Sequence, residues 1–368
     1  MSTTIYSQAP LTEDEIQQRM KQSAQNELRW LIQENVIPQL PAIQENLQSC
    51  FDKLAENNHD EYRLPLSTHN SEFLKGIITR QHFNITGLQF SIKTKSLNGG
   101  KHLVYKLNEG EKLVIRQLLD CHDAIHNAIN LIDRILKNPE VDTSILLSCI
   151  EQMYNQISFA KNSLTTPKSE YMFPRLRIPP KSFTPELPEF LALDFLVTNS
   201  DLSIDMKVLK KVTTKPWDTV LIPGTRLTWV DQVRSRISKD RKKSINKILM
   251  EEYDKLQEWK KREHEQRALQ NKETGEHDAS GGAFGSALKS MFGSGSSDPS
   301  LSTLIKTATK FLEEAVTYID NEGNATVVTI LESCDVMTSD PVLLSMTIKL
   351  ESLEKSVSKT LDNLKNCL

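Results

Sequence analysis

Between Asp142 and Pro167 the apolar residues Leu146, Ile150, Met153, Ile157, Ala160 and Leu164 return at steps of four, three, four, three and four. Such steps place all six on one side of an α-helix, so the segment predicts a helix with one buried seam. It stops at Pro167, and six of the chain's fifteen prolines then lie between Pro167 and Pro188. Proline lacks an amide donor and its ring clashes with the turn before it, so a different architecture follows.

Three other stretches carry seams of the same kind. Thr12 and Glu15 pair as a capping box at the head of a helix running toward Asn57, with Leu28, Ile32, Val36, Leu40, Ile43, Leu47 and Leu54 along one side. Pro38 and Pro41 predict a kink or break between Asn35 and Pro41. From Glu111 to Lys137, Leu118, Ile125 and Ile132 alternate with Cys121, Ala128 and Ile135, and Asn138-Pro139 ends the run. The last helix has Asp340 as cap and Pro341 in its first turn, with Leu343, Leu350, Val357 and Leu364 spaced by seven and Met346, Leu353, Thr360 and Cys367 between them. A single helix cannot bury its own seam, and four of them predict an antiparallel, coiled-coil-like four-helix bundle.

Elsewhere the period is two. Leu88, Phe90 and Ile92 face Leu103, Tyr105 and Leu107 across Asn98-Gly99-Gly100, with a further short strand from Leu74 to Thr79. Leu191, Leu193, Phe195 and Val197 pair through Asn199-Ser200-Asp201 with Leu202, Ile204, Met206 and Val208; Val316 and Tyr318 pair through Asn321-Glu322-Gly323 with Thr326, Val328 and Ile330. Three hairpins predict one antiparallel sheet of about six strands. The fold class is therefore α+β, with a bundle lobe from residues 11–60, 109–167 and 340–368 and a separate sheet lobe from 72–108, 188–212 and 313–335. Residues 213–312 form an insertion, partly disordered: Asp231 to Lys272 reads as one long solvated helix with a modest apolar stripe, and Gly275 to Ser300 as a Gly/Ser-rich linker.

Composition adds bounds. With 368 residues, 38% hydrophobic and 25% charged, the chain can bury one or two cores. A net charge of -3 offers no global attraction to nucleic acid, so none is expected as a partner. Five widely spaced cysteines suit reduced thiols, and no run of apolar residues has the length of a signal core or a membrane span, which predicts a cytoplasmic protein.

Signals for chemistry are weak. His122 and His126 stand four apart on a helix, but Asp123 replaces the glutamate of a zinc hydrolase and no third ligand is near. Gly99-Gly100-Lys101 lacks the frame of a phosphate loop, and no nucleophile elbow or dinucleotide fingerprint exists. No catalytic, cofactor-binding or metal-ligating residue is assigned. Three surface candidates remain. Arg234 to Lys247 holds seven basic residues and one acid, with Arg241, Lys242 and Lys243 at the centre, and suits an acidic protein or membrane surface. Phe284, Leu288, Met291 and Phe292 form a weakly charged amphipathic segment that suits loosely packed lipid. Trp30 points away from Leu28 and Ile32, toward either the sheet or a partner.

Glu27-Leu28-Arg29-Trp30-Leu31, the block Lys161-Asn162-Ser163-Leu164-Thr165-Thr166-Pro167, the two hairpins around Leu88–Leu107 and Leu191–Val208, and the last helix together resemble the Rogdi leucine-zipper family, whose fungal members are the small subunit of the RAVE complex. The resemblance spans most of the chain except Lys211 to about Lys310. It implies a non-enzymatic scaffold or adaptor that works with a large WD-repeat subunit and a Skp-type adaptor. Together these promote assembly of the vacuolar and endosomal proton-transporting V-ATPase from its cytosolic and membrane sectors. It also implies a cytoplasmic protein recruited peripherally to those membranes. Arg29 and Trp30, with the basic Arg241, Lys242 and Lys243, are the candidate partner contacts. A general coiled-coil tether or vesicle-trafficking adaptor is the alternative that the heptads and basic run equally suit.

Overall fold

The computed structural model describes residues 12–67, 73–138, 142–222, 225–273, 300–320 and 323–367. The helical half begins with α1 (Glu13–Trp30), whose capping box between Thr12 and Glu15 is formed. Where a proline-induced break is expected, the chain makes a π-helical turn over Leu31–Val36 and then enters α2 (Ile37–Leu54) with Pro38 in its first turn. Widening the turn moves the preceding carbonyls away from the proline ring, so the helix continues through the site instead of stopping. The helices α3 (Arg116–Lys137), α4 (Thr143–Ser163) and α8 (Pro341–Asn366) follow the expected seams. Helix α3 packs against α2 and α4, and α8 packs against α4 and α2.

The single sheet of about six strands expected from the sequence is two antiparallel sheets. The first has the order β1-β2-β3-β4-β6, from β1 (Glu61–Ser67), β2 (Leu74–Gln81), β3 (Asn84–Ile92), β4 (Leu103–Leu107) and β6 (Phe183–Thr184), with β5 (Leu113–Val114) also paired to β3. The second has the order β7-β8-β10-β9, from β7 (Leu191–Thr198), β8 (Asp201–Lys211), β9 (Ala315–Ile319) and β10 (Ala325–Ser339). All three expected hairpins form, but the first recruits β1 and β2 while the other two join through β8 and β10. Alternation defines a strand's buried face and leaves its edge partner open, so counting hairpins does not decide how many sheets they make. Strand β1 carries Pro65, which an edge position tolerates. Gly76 in β2 allows the close approach of β3, since a Cβ there would lie 2.2 Å from the Gln89 carbonyl oxygen.

One contiguous apolar cluster runs through Leu47, Ile125, Ile157 and Val357 of the helices, Ile78 and Phe90 of the first sheet, and Leu193 and Ile204 of the second. No gap in that cluster divides helices from strands.

The segment expected as one long solvated helix is two helices, α5 (Trp229–Lys239) and α6 (Ile245–Glu273), separated by a turn over residues 240–244. They pack with α7 (Leu301–Glu314) around a second cluster containing Trp217, Trp229, Val233, Leu249, Leu304 and Phe311. Trp217 meets Trp229 edge to face at 4.9 Å and Phe311 at 5.4 Å. Two fully buried tryptophans supply enough apolar area to hold short helices that their charged faces alone would not. The Gly/Ser-rich stretch and the amphipathic set Phe284, Leu288, Met291 and Phe292 lie outside the described residues.

Candidate interaction surfaces

Helix α1 has no buried residue over its eighteen positions. On a helical wheel Trp30, Ile16 and Met20 fall within about 80°, beside Leu31, whose side chain enters the core. These three apolar side chains are uncovered, with Ile16 43%, Met20 67% and Trp30 60% exposed. Leu28 and Ile32 lean on the core, so Trp30 faces away from it, and Arg29 beside it is exposed.

The basic run is divided by the fold. Arg234 donates to the carbonyls of Leu312 at 2.8 Å, Phe311 at 3.1 Å and Ala315 at 2.5 Å, capping the C-terminus of α7. Arg236 sits among Asp240, Glu251 and Glu252. Lys243 is held by Glu251 at 2.9 Å, and the ammonium keeps that carboxyl below its usual range. Arg241 and Lys242 stand in the turn with exposed side chains. The surface charge is therefore narrower than the run of seven suggests, and Lys243 is separated from its two neighbours.

His122 stacks on Phe51 at 4.6 Å and meets Asp123 at 2.9 Å, while His126 lies 5.5 Å from the same ring. Among the described residues no three His, Cys, Asp or Glu side chains gather as a metal site.

Two features escape sequence reasoning. Gln117 donates from Nε2 to the carbonyls of Ser163 (2.9 Å) and Val197 (2.8 Å) and accepts the Val197 amide (2.8 Å), tying α3, α4 and β7 together. Its only sequence signal is a polar residue next to Leu118 in an apolar seam. The block after Asn162 works in the same place: the carbonyls of Leu164 and Thr165 accept the amides of Ser200 (2.8 Å) and Asn199 (3.0 Å), both at positive φ in the β7–β8 turn. The Thr-Thr-Pro block is thus a latch between the end of α4 and the second sheet.

Comparison with known proteins gives these surfaces a context. A Saccharomyces cerevisiae protein described as regulator of V-ATPase in vacuolar membrane protein 2 is 24% identical over 358 residues, covering 93% of this chain and 91% of the relative. The model of the Rogdi leucine zipper containing proteins matches residues 27–365, from the Glu27-Leu28-Arg29-Trp30 stretch through α8, so the chain belongs to the Rogdi leucine zipper family.

Proposed function

We propose that the chain is a non-catalytic scaffold subunit of a RAVE-like complex, promoting assembly of the vacuolar and endosomal V-ATPase from its cytosolic and membrane sectors. The observation that carries this reading is the nearly end-to-end match with a relative named as a V-ATPase regulator. In this reading a large WD-repeat subunit, a Skp-type adaptor and the pump's cytosolic sector are the partners. Holding two of them on one body raises their effective concentration for each other.

Three regions carry the work: a four-helix bundle made by α2, α3, α4 and α8 within residues 11–60, 109–167 and 340–368; the strand-bearing segments 72–108, 188–212 and 313–335; and the insertion 213–312. Arg29 and Trp30 on the uncovered face of α1, and Arg241 and Lys242 with Lys243 behind them, are the contacts we assign to partners. The chain acts from the cytoplasm and is recruited peripherally, in keeping with the lack of any membrane-crossing helix among the described residues.

The test is deletion of the gene followed by measurement of organelle pH and pump-subunit levels. Defective acidification with subunits still present is the expected outcome, and normal acidification would overturn the proposal. Affinity purification of the tagged chain should recover pump-sector subunits and a WD-repeat protein; recovery of coat or fusion proteins instead would favour a trafficking tether.

A further inference from the structure

Strand β7 is an edge of the second sheet. Its hairpin turn pairs Thr198 with Asp201, so in the antiparallel ladder Leu196, Asp194 and Ala192 exchange hydrogen bonds with β8. Val197, Phe195, Leu193 and Leu191 turn their N–H and C=O groups the other way. Val197 is satisfied by Gln117, and the Leu191 amide donates to the Pro188 carbonyl. Between them, the outward main-chain groups of Leu193 and Phe195 have no protein partner among the described residues. Unpaired main-chain groups along a sheet edge are a ready template for a further strand.

The space beside these groups is a cavity of about 210 Å³, lined by Leu193 to Phe195, the proline-rich crossing and the start of α3. It admits about two residues of extended chain. Two exposed cations line it, Lys112 and Arg116, both without an ion pair among the described residues; Arg177, also in the lining, already donates from Nη2 to the Glu189 carbonyl at 2.6 Å and lies over the Tyr318 ring at 5.0 Å. The one acid in the lining, Asp194, is already held by Lys207 at 2.9 Å. The first turn of α3 adds to the positive field, since its N-cap Ile115 has no side-chain oxygen to offer.

We propose that this pocket receives an extended acidic peptide from a partner protein, which adds a short strand beside β7 and sets its carboxylates against Lys112 and Arg116. Main-chain pairing supplies the register and the cationic rim selects the sequence. The site stands on this geometry alone and does not depend on the proton-pump reading.

Two measurements on the full chain test it. In amide exchange followed by NMR, Leu193 and Phe195 should exchange faster than Asp194 and Leu196, whose amides point to β8; equal protection would mean the edge is closed and would overturn the proposal. In the second, a randomised library of short peptides is selected on the wild-type chain and counter-selected on Lys112→Glu/Arg116→Glu, two exposed positions. Recovered peptides should carry Asp or Glu at alternate positions, bind the variant about tenfold more weakly, and lose binding when their pairing amides are N-methylated. An empty selection, peptides without acids, or binding indifferent to N-methylation would each overturn it.

Discussion

Arg80 and Asp340 are 260 positions apart and meet at 2.6 Å, Nε to Oδ2, with neither side chain reached by solvent. The same carboxylate caps α8 through Oδ1, accepting the amides of Val342 at 3.0 Å and Leu343 at 3.3 Å. Arg80 also donates to the His82 carbonyl at 2.6 Å and lies over the Tyr62 ring at 4.7 Å. The start of α8 is therefore pinned to strand β2 by a charge that the cap needs in any case. Removing one partner of a buried pair leaves the other uncompensated, so Arg80→Met and Asp340→Asn should each cost about 3–5 kcal/mol. The double variant should cost clearly less than their sum. Urea denaturation of the four proteins measures this, and strict additivity would show that the two charges do not depend on each other.

Lys207 lies between Asp194 at 2.9 Å and Asp205 at 2.6 Å. Burial pushes its ammonium down, but the two carboxylates outweigh this and hold it above the usual lysine value. Burial pushes the Asp194 carboxyl up, by more than its share of one lysine and the Phe173 amide returns. For a lysine raised in the folded state, the stabilisation is present below the unfolded pKa and fades as pH climbs through the folded one. Unfolding free energy should therefore fall above pH of about 10.4, and Lys207→Met should flatten that part of the profile. At neutral pH the same variant should lose about 3–5 kcal/mol, because two carboxylates are left facing each other.

Arg234 and the pair Arg241–Lys242 should behave as opposites. Arg234→Ala uncaps three carbonyls at the end of α7 and should cost about 2–4 kcal/mol. Arg241→Ala and Lys242→Ala change exposed turn residues and should stay within about 0.5 kcal/mol of wild type. Thermal melts separate the two classes, and a large loss at Arg241 or Lys242 would place those side chains in the fold.

Trp30→Ala should leave stability within about 0.5 kcal/mol, since the ring is 60% exposed on a helix that buries nothing. The amount of partner recovered with the tagged chain should fall. An unchanged recovery would remove Trp30 from the contact surface, and a lower melting temperature would mean the ring supports the fold.

The helical half was legible because each helix declares its own buried face: Leu146 to Leu164 and Leu118 to Ile135 are seam residues in the sequence and core residues in the structure, as are Leu343, Met346, Leu350, Leu353, Val357 and Leu364, while Leu361 rather than Thr360 fills the core near the end of α8. Caps were legible for the same local reason, with Thr12 and Asp340 each accepting a first-turn amide. What escaped was set by distant partners. Periodicity in Leu191–Val208 says nothing about β10 as its neighbour, and a charged run does not reveal that Trp217, from outside it, will bury Trp229. Gln117 and Arg80 look like surface residues until the chain segments they bind are brought beside them. The contact surfaces on α1 and the basic turn were visible only as leftovers: residues that the seams do not use.

The fifteen-residue strand β10 pairs first with β9 and then along β8, and runs straight into Asp340 and α8. During synthesis, then, the groove between α2 and α4 and the guanidinium of Arg80 stay open until residues beyond 340 have left the ribosome. From the completion of α4 at Ser163 until α8 emerges, the nascent polypeptide carries an unfilled apolar trench, so any chaperone that attends it should let go only when α8 has seated.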